Sequence, residues 1–148
     1  MRLWRISNLV DLSGHGATLI GGRWHIVGTP VVYCSDHPST ALLEILVHAT
    51  RYTVPNFYQL IAIEIPDDVE PVDAVIRDGW ETDTDFTQEQ GLAFVTEARN
   101  ALFRVPSVIM PQARNYLLNP KHPDAARASI SEVYRYPFDS RLFGIPTA

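Results

Sequence analysis

Four polar side chains set in apolar stretches are where chemistry could begin: Arg23, Tyr33, Glu44 and Ser107. Arg23 follows Gly21-Gly22 and precedes Trp24, so a sharp turn can hold a guanidinium beside an aromatic plate, as phosphate or carboxylate recognition requires; the alternative is a surface arginine stacked on Trp24. Tyr33 sits in the apolar run VVYCS, where its phenol needs a partner or an opening to solvent. Its ring can stack on a planar ligand, with Ser35 on the same strand face, or simply fill a core. Glu44 lies inside ALLEILVHA, where burying a carboxylate is costly unless a cation, a hydrogen bond or a ligand compensates; the competing account is a solvated stripe shared with His48, one helical turn on. Ser107, flanked by Val105-Pro106 and Val108-Ile109-Met110, has no base near it in sequence, which favours a hydroxyl that hydrogen-bonds a ligand over a covalent nucleophile. Asn115, Asn119 and His122 read first as turn and capping residues.

These side chains must be positioned by short strands and two helices. Leu3 to Ile6, Val31 to Ser35, Tyr58 to Ile65, Val105 to Met110 and Ile130 to Tyr136 read as strands. In the second, Val31, Tyr33 and Ser35 share one face and Val32 and Cys34 the other. A helix capped by Ser39 or Thr40 runs to about Ala49 and, being apolar nearly all round, is expected to be buried on most sides. Alternation in Tyr58 to Ile65 predicts a half-buried strand. Asp67 to Asp85 is acidic and irregular, and Thr87 with Gln90 forms a capping box for a second helix reaching about Phe103, with Phe94, Val95, Ala98 and Leu102 on its packing face. Ser13 to Gly16 and Pro111 to Asp124 read as polar loops. Dispersed strands with two good helices indicate an α+β fold, read as one domain over 1–148.

Composition narrows the function. The chain has 148 residues, 46% hydrophobic and 20% charged, enough for a real core, and 12 Lys+Arg against 17 Asp+Glu leave a net charge of −5. That balance disfavours direct binding to nucleic acid, and with it a nuclease. The lone cysteine, Cys34, cannot close an intramolecular disulfide, no Cys/His array has zinc spacing, and no apolar run reaches membrane-spanning length, so the expectation is a cytoplasmic protein without metal, cofactor or membrane. Arg5, Ser7, Asn8 and Asp11 break up any signal-peptide core. Phosphate-loop, dinucleotide-fold, zinc-hydrolase and nucleophile-elbow motifs are missing.

Taken together, GGRW at Gly21 to Trp24, VVYCS at Val31 to Ser35, ALLEILVH at Ala41 to His48, VPSVIMP at Val105 to Pro111 and NYLLNPKHPD at Asn115 to Asp124 closely resemble the RES domain family, from the LWRIS start to the DSRLF end. The family's Arg, Glu and Ser fall on Arg23, Glu44 and Ser107, and its tyrosine on Tyr33; His25 departs from the Asn many members carry there. The resemblance implies a toxin of a bacterial toxin–antitoxin pair with an Xre-like antitoxin blocking its active site, and a fold similar to ADP-ribosyltransferase toxins. It implies NAD as substrate, cleaved at the nicotinamide–ribose bond, with ADP-ribose passed to water or phosphate so that the NAD pool empties and growth stops. The alternatives are ADP-ribosyl transfer to a cellular protein, or a non-catalytic binding protein. On this reading Arg23, Tyr33 and Glu44 are catalytic, and Arg23, Tyr33, Ser35, Ser107 and Asn119 contact the substrate.

Overall fold

The structure is a computed structural model that describes residues 1–50 and 52–144. Its frame is a seven-stranded sheet: β1 (Arg2–Ile6), β2 (Val32–Ser35), β3 (Phe57–Glu64), β4 (Pro71–Asp73), β5 (Leu102–Pro106), β6 (Arg114–Leu118) and β7 (Ser129–Pro137). The strands lie in the order β4-β5-β6-β2-β1-β3-β7, antiparallel except for the parallel β4–β5 pair. Among the described residues three α-helices accompany it, α1 (His15–Leu19), α2 (Pro38–Leu46) and α3 (Thr84–Glu97). The α+β expectation holds, with a mixed sheet.

Period-two alternation sorts the sheet's side chains into two cores. Leu3, Val32, Cys34, Ile61, Ile63, Leu102, Tyr116 and Leu118 pack on one face, while Val31, Phe103, Val105 and Leu117 pack on the other with Trp24, Trp80 and Phe94. Trp24 meets Trp80 and sits edge-on to Phe103, which stacks on Phe94. Trp24 is therefore a core residue and not a plate for Arg23.

α3 presses on the loop before β2 at contact too close for any side chain. A Cβ on Gly91 would stand 1.6 Å from the Trp24 carbonyl oxygen. Around this contact, Thr87 Oγ1 donates to the Arg23 carbonyl and Gln88 Nε2 to the carbonyls of Gly22 and His25.

Several expectations are corrected. α2 is capped by His37, whose Nδ1 accepts from the Ser39 amide, and it ends at Leu46; it packs against the interior strands β1 and β2, but only Thr40 and Ala41 are buried along it and its other apolar residues are half-exposed. α3 starts at Thr84 under an Asp83 cap and stops at Glu97, where Ala98 turns left-handed (φ 46°); Leu102 and Phe103 are strand residues because β5 finds hydrogen-bond partners on both sides. Pro111 to Asp124 is not a loop throughout, since β6 runs through the middle of the sheet between β2 and β5. β4 emerges from the acidic segment, α1 from the first Gly-containing loop, and Leu60 to Ile63 are buried on both strand faces instead of one.

Candidate functional site

β1 and β2 share a single paired position, Trp4 with Ser35, and then part. A cleft of about 910 Å³ opens where they diverge, in the size range of small-molecule sites. Arg5 and Ile6 line it from β1, Tyr33, Cys34 and Ser35 from β2, Glu44 and Ile45 from α2, and Arg23 from the turn beneath α3.

Glu44 is the centre of a hydrogen-bond network. Its Oε1 accepts from Ser107 Oγ at 2.7 Å and from Asn115 Nδ2 at 2.6 Å, and Asn115 Oδ1 in turn accepts from Ser35 Oγ at 2.8 Å. The sheet dictates this arrangement, because Asn115 stands directly opposite Ser35 on one side and Val105 on the other. Ser107 lies just beyond β5, where its Oγ also accepts from the amides of Ile109 and Met110 and so cannot swing freely. Both donors end on Oε1. Among the described residues no hydrogen bond reaches Oε2.

Arg23 occupies the apex of a tight turn, Gly22 to His25, with the Gly22 amide donating to the His25 carbonyl at 3.0 Å. Its guanidinium donates to the Glu81 carbonyl oxygen. That bond uses one of its five donors and no carboxylate neutralises it among the described residues, so the cation remains able to grip an anion through the rest. Arg5 brings a second half-buried guanidinium whose described partner is the Ser7 hydroxyl, 3.2 Å away. Tyr33 is held by its hydroxyl: Trp24 N–H donates to it at 3.3 Å and His25 Nδ1 lies 2.8 Å away. Burial pushes its phenol above the usual range, so it acts as a neutral ring. Burial also pushes the Cys34 thiol up to about 12, which removes it as a nucleophile at neutral pH.

The structure thus brings Arg23, Tyr33, Ser35 and Glu44 to one cleft, sets Ser107 behind Glu44, and leaves exposed His48 among the lining residues. Asn119 is not brought there. It is fully buried, accepts from the Lys121 amide and donates to the Val95 carbonyl, so the expected substrate contact is replaced by a turn-stabilising role. Sequence reasoning missed Asn115, Arg5 and His25 as site residues. For Arg5 there was a signal, an arginine inside a short apolar strand; for Asn115 there was none until its segment was known to be a strand.

Among the described residues no group of three or more His, Cys, Asp or Glu is placed to hold a metal ion, and no helix is long and apolar enough to cross a membrane. The chemistry these groups carry follows from their types: a guanidinium can bind an anion, an aromatic ring offers a stacking face, and a clamped carboxylate can stabilise nearby positive charge.

In structure, the chain superposes on a chain of the crystal structure of the Mycobacterium tuberculosis MbcT–MbcA toxin–antitoxin complex with a TM-score of 0.74 at 18% identity, covering 92% of this chain and 84% of that one. The two chains share a fold, an α+β domain with a mixed sheet. A protein of Pseudomonas putida named Toxin Res is 42% identical over 146 residues, covering 97% of this chain and 100% of the relative. A Sphingobium protein named Prs ADP-ribosylating toxin is 36% identical over 139 residues, covering 89% of this chain and 86% of the relative. Residues 2–139 match the RES domain, and the chain belongs to the RES domain family.

Proposed function

We propose that this protein is an NAD-consuming toxin that breaks the nicotinamide–ribose bond and is silenced by a protein antitoxin. The observation that carries the reading is the Glu44 carboxylate, fixed through one oxygen by Ser107 and Asn115 in a cleft that also holds Arg5, Arg23 and Tyr33. When the C1′–N bond breaks, its electron pair leaves with nicotinamide, which departs neutral, and the ribose becomes oxocarbenium-like. A preorganised carboxylate stabilises that charge without reorganising and accepts a hydrogen bond from a ribose hydroxyl on Oε2. Arg23 and Arg5 hold the diphosphate in a protein of net charge −5. Tyr33 presents its ring to the nicotinamide, with Ser35 at the same wall. Water or phosphate then bonds to C1′ and gives up its proton, yielding ADP-ribose or its phosphorylated form.

A second acceptor is favoured by the Sphingobium relative, named for ADP-ribosylation: a protein side chain in place of water. For the partner, the cleft lining includes exposed apolar residues, Ile20 at 76%, Val47 at 55% and Val108 at 37%, which suits an Xre-like antitoxin laid over the mouth in the cytoplasm. The test is incubation of purified protein with NAD, with and without phosphate and with a cell lysate, reading nicotinamide release and the ribosyl product by mass. ADP-ribose, its phosphate or labelled protein separates the three acceptors; no nicotinamide release under any condition overturns the reading.

A further inference from the structure

We infer that His25, held against the α1 wall of the cleft, is the positioning residue that sets how Tyr33 meets its ligand; this rests on the reading of the cleft as an NAD site. His25 is 4% exposed, and its hydrogen bonds run to Tyr33, Ala17 and Ile20, outside the Glu44 network. Its Nε2 lies 2.8 Å from the Ile20 carbonyl oxygen and 3.1 Å from that of Ala17. Two acceptors there require Nε2 to carry a proton. In the neutral ring Nδ1 is then an acceptor, and the group facing it is the Tyr33 hydroxyl at 2.8 Å. That hydroxyl therefore donates to His25 and accepts from the Trp24 amide. Its single proton and one of its lone pairs are engaged inside the protein, so the hydroxyl has no proton to donate to a ligand and the ring is what Tyr33 offers to the cleft.

The two arms of the imidazole reach different walls. Gly16, Ala17 and Ile20 line the cleft from α1 and the residue following it, and Tyr33 lines it from β2. His25 also closes the turn that carries Arg23 at its apex. An independent sign of how tightly this is built comes from Gly22, where a Cβ would stand 2.8 Å from His25 Cε1, 2.9 Å from Nδ1 and 3.1 Å from the Tyr33 hydroxyl oxygen. Glycine there keeps the histidine–tyrosine contact open.

The shapes of the amide side chains divide the two arms. Asn in place of His25 can present its oxygen where Nδ1 was, keeping an acceptor for Tyr33 while losing the carbonyl clamp. Gln can present its NH2 where Nε2 was, keeping the clamp while losing that acceptor. With NAD as substrate we expect H25A to raise KM about tenfold with a smaller fall in kcat, H25N to return KM to within about threefold of the wild type, H25Q to remain near H25A, and G22A to behave like H25A. Restoration by H25Q and not by H25N overturns the assignment, as does an unchanged KM in H25A. An arm that does not depend on turnover is nitrogen-15 NMR of the histidine ring, expected to show a protonated Nε2 and an accepting Nδ1 in wild-type protein, with the Nδ1 shift moving in Y33F. Should wild-type protein release no nicotinamide, the functional reading fails separately and the ring spectrum decides: a protonated Nδ1 at neutral pH, or one insensitive to Y33F, refutes the role of His25.

Discussion

Replacing Glu44 with Gln removes a charge while leaving the shape of the site. The amide oxygen can take the place of Oε1 and still accept from Ser107 and Asn115, whose donors stand 2.7 and 2.6 Å away. What is lost is the attraction between a carboxylate and a developing ribosyl cation. For unit charges roughly 4 Å apart at an effective dielectric near 20 that attraction is about 4 kcal/mol. Glu44 is half-buried and the transition state carries only part of a charge, which brings the loss to about 3 kcal/mol, or roughly 10²-fold in rate. The fold has little at stake: two charge-assisted hydrogen bonds become neutral ones, and relief from desolvating a charge offsets them, for a net change of about 1 kcal/mol or less, under about 4 °C in melting temperature. Nicotinamide release at saturating NAD gives kcat, and circular dichroism gives the melting temperature. Turnover within about threefold of wild type refutes the electrostatic role. So does a fall of 10 °C or so in melting temperature, for then activity is lost with the fold.

Arg23→Lys exchanges a planar fork for a point charge and should raise KM for NAD about tenfold with little effect on kcat, read from initial-rate kinetics. Gly91→Ala forces a methyl group into the Trp24 carbonyl, and should cost about 3 kcal/mol or leave no soluble protein, as judged by thermal melting. Ala98→Gly relieves the left-handed end of α3 and should stabilise by about 0.5–1 kcal/mol in urea titration. Arginine hydrogen bonds hold the carboxyls of Asp68, Asp73, Asp83 and Asp139 below their ordinary value of 3.8, Asp139 down to about 2. Depressed folded values mean that their stabilisation is complete above about pH 4 and is lost as the pH falls through the folded values. A melting temperature that declines between pH 4 and 2, modestly because these pairs are exposed, is the expected result; a rise over that interval contradicts it.

Local sequence pattern was enough for the α+β class, the alternating faces of β2, and the selection of Arg23, Tyr33 and Glu44 as candidates. Each of those is a local matter: a strand's period, a glycine pair beside an arginine, a carboxylate in a helix with almost no other polar group. Tertiary structure decided what depends on partners distant in sequence. β6 is a strand because β2 and β5 supply hydrogen bonds to both its edges, against the polar and proline-rich signal of its surroundings, and only that placement turns Asn115 from a turn residue into a ligand of Glu44. α3 ends early for the same kind of reason, since Leu102 and Phe103 gain more from the sheet than from another helical turn. α2 is less buried than its composition suggested because it borders an open cleft, and that cleft exists because β1 and β2 pair once and separate. Asn119 and Ser107 resemble each other in sequence as polar residues beside apolar strands. One lies buried under the Val95 carbonyl and the other behind the site's carboxylate, a difference set by the packing of elements that no local spacing encodes.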